Sequence, residues 1–464
     1  MPSAATHPIA HTVFSATCEA THLETNTPTS ALEISTSGSC LSLASLGWVP
    51  LDKNVTQYWL PDANGDFKNN HLDVGLAHTV HHTSIDESRK LMFFADKHRI
   101  KSFHWDEGSA VHTMQSGNCG GPLAVLSGGR LIRAGQGCAA VWTLDKLDTH
   151  GESGYEMIGE EEYEIPEYSM WGHEIEQSTG SVAHTTIKFA DPKFKPSEWL
   201  LHNPTAYMLC AERRGKYDSG TSNTTDGRGC VSFDLQTGNA VTRYSGRDCQ
   251  VSAFSTSDGD PNTFATAGTD GYARIFDIRE PLSQLKVIAD KRNLECYALA
   301  LAYPDGIPVL FTGGENAECV RVWDLRAKKV VYELATGNNA VITLAWDAHR
   351  STLYASTACD YVDQRGYFHG YRHYKVPKLP GVPRKRLVQP DDDVYMGEEG
   401  DEYDSDYDDE NYERLWPANA THLEDYFGHP FDAGEHRLYR YRFKKDANLE
   451  ILPKFGEDIM PKRV

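Results

Sequence analysis

The chain has 464 residues, is 40% hydrophobic and carries 9 Trp, 23 Tyr and 17 Phe, enough for two or three ordinary domains or one large closed β fold. Its formal net charge of −21 disfavours nucleic acid as a partner, because phosphate binding needs an excess of Lys and Arg, and is compatible with basic proteins. Ten scattered cysteines with no Cys-x-x-Cys pair and no zinc spacing argue against a metal knuckle and read as buried thiols in a reducing compartment.

The first residues, Met1–Pro8, have no basic or apolar stretch of a secretory leader, and no run of about 18 apolar residues follows anywhere. The expectation is an intracellular protein, cytoplasmic or nuclear, with no membrane partner. Glycine and proline break the chain into short runs, few of which have helical periodicity, so short strands dominate. Candidate strands begin at Ala31–Ile34, Cys40–Leu43, Val55–Trp59 and His71–Val74. The next set is His81–Ile85, Leu91–Asp96, Lys97–Phe103 and Ala110–Gln115. Gly121–Ser127, Arg130–Gly135 and Cys138–Trp142 follow, then Ala183–Phe189, Tyr207–Ala211, Cys230–Phe233 and Ala240–Tyr244. Val251–Phe254 and Thr263–Gly268 lead to Phe276, and Cys296–Ala302, Val309–Gly314, Val320–Trp323 and Val330–Leu334 complete the regular part. A last set reads Ala340–Trp346, Thr352–Thr357, His436–Phe443 and Asn448–Pro453, with Asn448–Pro453 as its own edge strand. The aromatic anchors Phe103, Trp142, Phe233, Phe276 and Trp323 are spaced by 39, 91, 43 and 47 residues. Three of these steps fit a unit of about 40–45 residues, the length of a four-stranded blade, and the fourth is one unit plus an insertion.

One phrase is written twice in this series, Thr266–Asp277 and Thr312–Asp324: a small-residue strand end, a polar turn, then a strand closing on a basic, a β-branched and an aromatic residue and Asp. Gly268–Asp277 and Val320–Arg326 resemble the WD40 repeat, with fainter echoes over Val80–Leu334. On that resemblance Asp96, Trp142, Phe233, Asp270, Phe276, Asp277, Trp323 and Asp324 are the structural repeat residues. There are departures. Ser245–Asp248 stands where a WD40 repeat usually has Gly-His, and Gln136 and Ala317 replace the turn Asp that Asp96 and Asp270 keep. The resemblance implies an all-β chain folded as a single β-propeller, most simply of seven four-stranded blades around a channel. Residues 1–79 would supply the N-terminal blade or closure, 80–336 the regular blades, and 337–464 an interrupted last blade. Because the last blade reads as self-complete, the closure is left open, and with it six or eight blades.

Two insertions depart from this pattern. About 148–181, acids alternate with aromatics: either a solvated connection, or a docking loop with Tyr168 and Trp171 as anchors. About 364–429, a basic, Pro-rich run ending in Arg384, Lys385 and Arg386 precedes 13 carboxylates within the 23 residues Asp391–Glu413. Such a block repels itself and buries too little apolar surface to order on its own. It reads as a spacer, as a clasp onto Arg384–Arg386, or as a site for a basic protein such as a histone tail. In the last case Tyr403, Asp404, Asp406, Tyr407, Asp408, Asp409 and Glu410 would contact the partner. Ser405, set among acids, suits an acid-directed kinase.

Signals of catalysis are weak. The chain has no Gly-x-Ser-x-Gly, no phosphate-binding loop and no His-Glu-x-x-His. His78, His81 and His82, like His369 and His373, read as ordinary histidines before metal ligands. The expectation is a non-catalytic protein-interaction scaffold, taken as a monomer, with no cofactor. The alternatives are a propeller hydrolase or lyase with its site at the channel, and a binder or chaperone of basic proteins.

Overall fold

The structure, a computed structural model, describes residues 16–23, 28–45, 56–62, 67–165, 175–212, 229–244, 249–288, 295–314, 319–337, 339–359, 421–422 and 436–443. After β1 (Ala16–His22), the chain builds antiparallel sheets of four strands in strict sequence order. Blade I is β2 (Thr29–Ile34), β3 (Leu41–Ser45), β4 (Thr56–Pro61) and β5 (Phe67–Leu72). Blade II is β6 (His82–Asp86), β7 (Leu91–Ala95), β8 (Arg99–His104) and β9 (Ser109–Gln115). Blade III is β10 (Leu123–Leu126), β11 (Arg130–Ala134), β12 (Cys138–Thr143) and β13 (Thr185–Lys188). Blade IV is β14 (Pro196–His202), β15 (Tyr207–Glu212), β16 (Gly229–Asp234) and β17 (Asn239–Tyr244). Blade V is β18 (Val251–Thr256), β19 (Thr263–Gly268), β20 (Tyr272–Asp277) and β21 (Leu285–Ile288). Blade VI is β22 (Cys296–Ala302), β23 (Val309–Gly314), β24 (Cys319–Asp324) and β25 (Lys329–Ala335). Blade VII takes β26 (Ala340–Asp347), β27 (Thr352–Ala358) and β29 (Arg437–Phe443) from the C-terminal part, then β1, with the short β28 (Thr421–His422) outside it.

The first strands of the seven blades neighbour one another around a closed ring, β2 against β6 and so on to β26 against β2. The architecture is thus a seven-bladed propeller. Its closure corrects the expected self-complete last blade. The edge place belongs to β1, paired with β29 along its whole length from Ala16↔Phe443 to His22↔Arg437. Asn448–Pro453 lies outside the described residues. Joining strands from the two ends of the chain makes opening the ring cost an entire strand ladder. A second correction concerns Ala183–Phe189, expected as the first strand of the Phe233 unit. It is the outer strand of blade III, paired with β12 from Val141↔Thr185 to Cys138↔Lys188. The insertion around residues 148–181 therefore interrupts blade III between its third and fourth strands.

The core lies between blades. The second strands carry much of it: every residue of β19, β23 and β27 is shielded. Their small residues are a packing requirement. A Cβ on Gly313 would stand 2.4 Å from the Cβ of Val341 in the next blade. The aromatic anchors fill the same layers: Phe276 stacks on Phe264 at 5.2 Å, and Phe194 stacks on Phe233 at 5.3 Å. Each such ring contributes about 1.5–3 kcal/mol by burial. Among the described residues no helix is long and apolar enough to cross a membrane.

Candidate functional site

Strand alternation gives the ring two unlike faces. One holds the turns between first and second and between third and fourth strands; the other holds the connections between second and third strands and the links from blade to blade. Apart from the blade III insertion, the described loops of the turn face are short, and several are closed by aspartates. Asp277 accepts the N–H of Arg279 at 2.9 Å, Asp324 that of Arg326 at 2.9 Å, and Asp347 that of Arg350 at 3.0 Å. The same arginines return their guanidinium groups to those carboxylates. Asp277 and Asp324, read as repeat residues, are thus turn-closing groups.

The linker face is elaborated. Its connections include 46–55 in blade I, 213–228 in blade IV and the long excursion from Cys359 to His436 in blade VII. The backbone N–H of Cys359 donates to His436 Nδ1 at 3.1 Å, so that excursion leaves and returns at one point. Before returning, it lays β28 along the outer side of β1, with Cys18 opposite His422. Asp96 and Asp270 sit in turns on this face. Asp96 is buried and accepts N–H groups from His98 at 2.8 Å, Arg99 at 2.6 Å and His78 at 3.2 Å. Burial works against ionisation of Asp270, but its pair with Arg274 takes the carboxyl down to about 2.

The insertion of blade III joins the two faces. It leaves β12 on the turn face and runs along the outer edge of blade II. There His150 donates its N–H to Val111 O at 3.0 Å, and Ser181 pairs in parallel with Met114. Gly180, at φ +94, makes this approach possible, because a Cβ there would lie 2.8 Å from the Met114 carbonyl carbon. The insertion thereby satisfies part of an edge that would otherwise be open to strand addition. Trp142 is tied in as well, its indole N–H donating to Ser181 O at 3.2 Å.

At the linker-face end the insertion is held by Glu176. Its carboxylate lies 3.7 Å from both Arg99 and Lys101, cations on one side of β8, and accepts the Ser178 N–H at 2.6 Å. Thr113 Oγ1 stands 2.9 Å from both Glu176 Oε2 and His150 Nε2. Arg99 also donates to the carbonyls of Glu176 at 2.6 Å and Ser178 at 2.9 Å, and its guanidinium covers the Tyr163 ring at 3.8 Å. Burial opposes charge on Glu176, yet Lys101 and the Ser178 and Thr113 hydrogen bonds prevail and hold its pKa below the ordinary carboxylate value. Burial pulls Lys101 down to about 8, against the attraction of Glu176. None of these residues was singled out from sequence; the available signal was Arg99 and Lys101 two positions apart on a strand, facing one side.

The inner strands enclose a channel of about 1730 Å³. Among the described residues its lining holds Glu33, Glu198, Asp258 and Asp305, with His81 and His82 and without Lys or Arg. Protein encloses Glu33 and pushes its carboxyl up to about 8, opposed by a hydrogen bond from the Ile85 backbone. Burial takes Glu198 up to about 7 and His82 down to about 3. Glu33 and His82 are therefore held neutral at pH 7, and Glu198 is close to its midpoint. Among the described residues no three His, Cys, Asp or Glu groups gather closely enough to hold a metal ion.

The remaining repeat residues are structural. Trp142 and Phe276 are fully shielded, Phe233 nearly so, and the Trp323 indole donates to Thr312 Oγ1 at 2.9 Å. The candidate partner residues Tyr168, Trp171, Arg384, Lys385, Arg386, Tyr403, Asp404, Asp406, Tyr407, Asp408, Asp409 and Glu410 lie outside the described residues. The two insertions that carry them both depart from the linker face or reach it.

No family model matches the chain. Over 95 residues, 20% of its length, it is 36% identical to the protein transport protein SEC31 of Pyricularia oryzae (strain 70-15 / ATCC MYA-4617 / FGSC 8958), and the match spans 7% of that relative. Among solved structures, the WD40 β-propeller domain of Doa1 is similar at a TM-score of 0.47 and 12% identity, covering 74% of this chain and 93% of that one. With seven four-stranded blades closed into a ring, the chain has the fold of a seven-bladed β-propeller, and the aromatic-Asp strand end kept intact in blades V and VI resembles the WD40 repeat.

Proposed function

We propose that this propeller is a non-catalytic scaffold that binds protein partners through its linker face. The observation behind this reading is the asymmetry of the two faces. The long connections 46–55, 213–228 and Cys359–His436 all leave from the linker face, and Glu176 brings the blade III insertion to it. Loops on a rigid platform are where recognition is usually placed. The turn face, apart from the point where that insertion leaves β12, carries short turns, several of them aspartate-capped.

The finer part of the proposal concerns partner chemistry. Asp391–Glu413 would meet a basic protein surface, with Tyr403 and Tyr407 adding contact area, while Tyr168 and Trp171 would serve as aromatic anchors. Such recruitment weakens with salt. We place the protein inside the cell, in cytoplasm or nucleus, with neither nucleic acid nor membrane as partner.

Proximity labelling in the native cell, comparing three forms of the full chain, tests the reading. Deletion of Asp391–Glu413 and the double variant Tyr168→Ala, Trp171→Ala should each lose a subset of neighbours. The turn-face variant Arg279→Glu, Arg326→Glu should keep them. Loss confined to the turn-face variant would refute the assignment of the face.

A further inference from the structure

The geometry points to a thiol pair, Cys119 with Cys138, as an oxidative modification site that forms a reversible disulfide on the linker face. Cys119 lies in the connection between blades II and III, and Cys138 is the first residue of β12. Their sulfurs are 3.8 Å apart. A disulfide needs about 2.05 Å, a difference that a change of side-chain torsion can cover. The neighbouring turn leaves the Cys119 sulfur its place only because residue 135 is glycine. Gly135 presses against Cys119, where a Cβ would lie 2.8 Å from its sulfur, and Gly135 N–H is bonded to Cys138 O at 2.8 Å.

The two thiols differ in access. Cys119 is 4% exposed, whereas Cys138 is half-buried, so Cys138 meets an oxidant first. Burial also pushes the Cys119 thiol up to about 11, with Arg133 opposing that shift, so Cys119 is not the first of the pair to react with peroxide. With hydrogen peroxide as oxidant, the Cys138 thiolate attacks one peroxide oxygen, the O–O bond breaks, and a sulfenic acid and hydroxide form. The Cys119 sulfur then attacks the Cys138 sulfur, the S–O bond breaks, and the oxygen leaves as water with the thiol proton. Overall two thiols and one peroxide give one disulfide and two waters.

The product would staple the linker to the third strand of blade III, beside Arg133. That residue donates to Asp96 O and to Gly121 O and so connects the linker faces of blades II and III. The pair is thus placed to report oxidation to the face proposed for docking, although its chemistry does not depend on that proposal.

The test is mass spectrometry of the full-length protein after mild peroxide, with free thiols alkylated. The expected result is a peptide pair linked through Cys119 and Cys138, two of the ten cysteines lost to alkylation, and full reversal by dithiothreitol. In Cys119→Ala, Cys138 should stop at the sulfenic acid and take up dimedone; in Cys138→Ser, Cys119 should stay reduced. Both thiols remaining alkylatable while other cysteines oxidise would overturn the proposal. So would a disulfide from either cysteine to a third one. The wild-type peptide map decides even where a variant folds poorly.

Discussion

Replacing Glu176 with Gln should free the blade III insertion from blade II while leaving the ring intact. The substitution keeps shape and removes the charge that faces Arg99 and Lys101, whose side chains are only 1% and 5% exposed. Removing one partner of a buried ionic group costs about 3–5 kcal/mol, and the retained amide can still accept from Ser178 N–H and Thr113, so about 3 kcal/mol is expected. At about 1.4 kcal/mol per decade, the opening equilibrium of the segment rises on the order of 100-fold. Hydrogen exchange of peptides covering 148–165 and 175–181 should lose protection by that factor, while β19 and β20 keep theirs. The pH dependence has a definite sign. The folded pKa of Glu176 is lowered, so its contribution is present above the ordinary carboxylate pKa and is lost as pH falls through the folded value. Wild-type protection of the insertion should hold from pH 7 down to the carboxylate range and fall below it, and the Gln variant should lack that step. Unchanged protection of the insertion, or an equal loss in every blade, would refute the latch.

Two further outcomes follow from the fold. Glu33→Gln should stabilise the protein above neutral pH. The unfolded chain releases this proton near 4.5 and the folded chain near 8, so stability falls as pH rises across that interval, and the amide removes the slope; chemical denaturation at pH 5 and pH 8.5 measures it. Deleting Ala16–His22 should remove the outer strand of blade VII, expose the edge of β29 and cause loss of monomer by size-exclusion chromatography.

Much of the ring was legible before folding. The period of the aromatic anchors and the doubled phrase of Thr266–Asp277 and Thr312–Asp324 are local patterns, written within single blades, and they state strand, turn and anchor directly. The closure was not legible, because β1 and β29 stand more than 400 residues apart and neither strand says which edge it completes. The sheet membership of Ala183–Phe189 was hidden for a related reason: alternation identifies a strand but leaves open whether it ends one blade or begins the next. The Glu176 cluster lay beyond sequence altogether. Its carboxylate is 77 residues from Arg99, and only the path of the insertion along blade II brings them together. Sequence by itself determined the repeated β unit, the acidic excess and the positions of the two insertions, since these are properties of short stretches and of composition. Tertiary structure decided the number of blades, how the ring closes and to which face the insertions are directed, since each depends on contacts between segments distant in the chain.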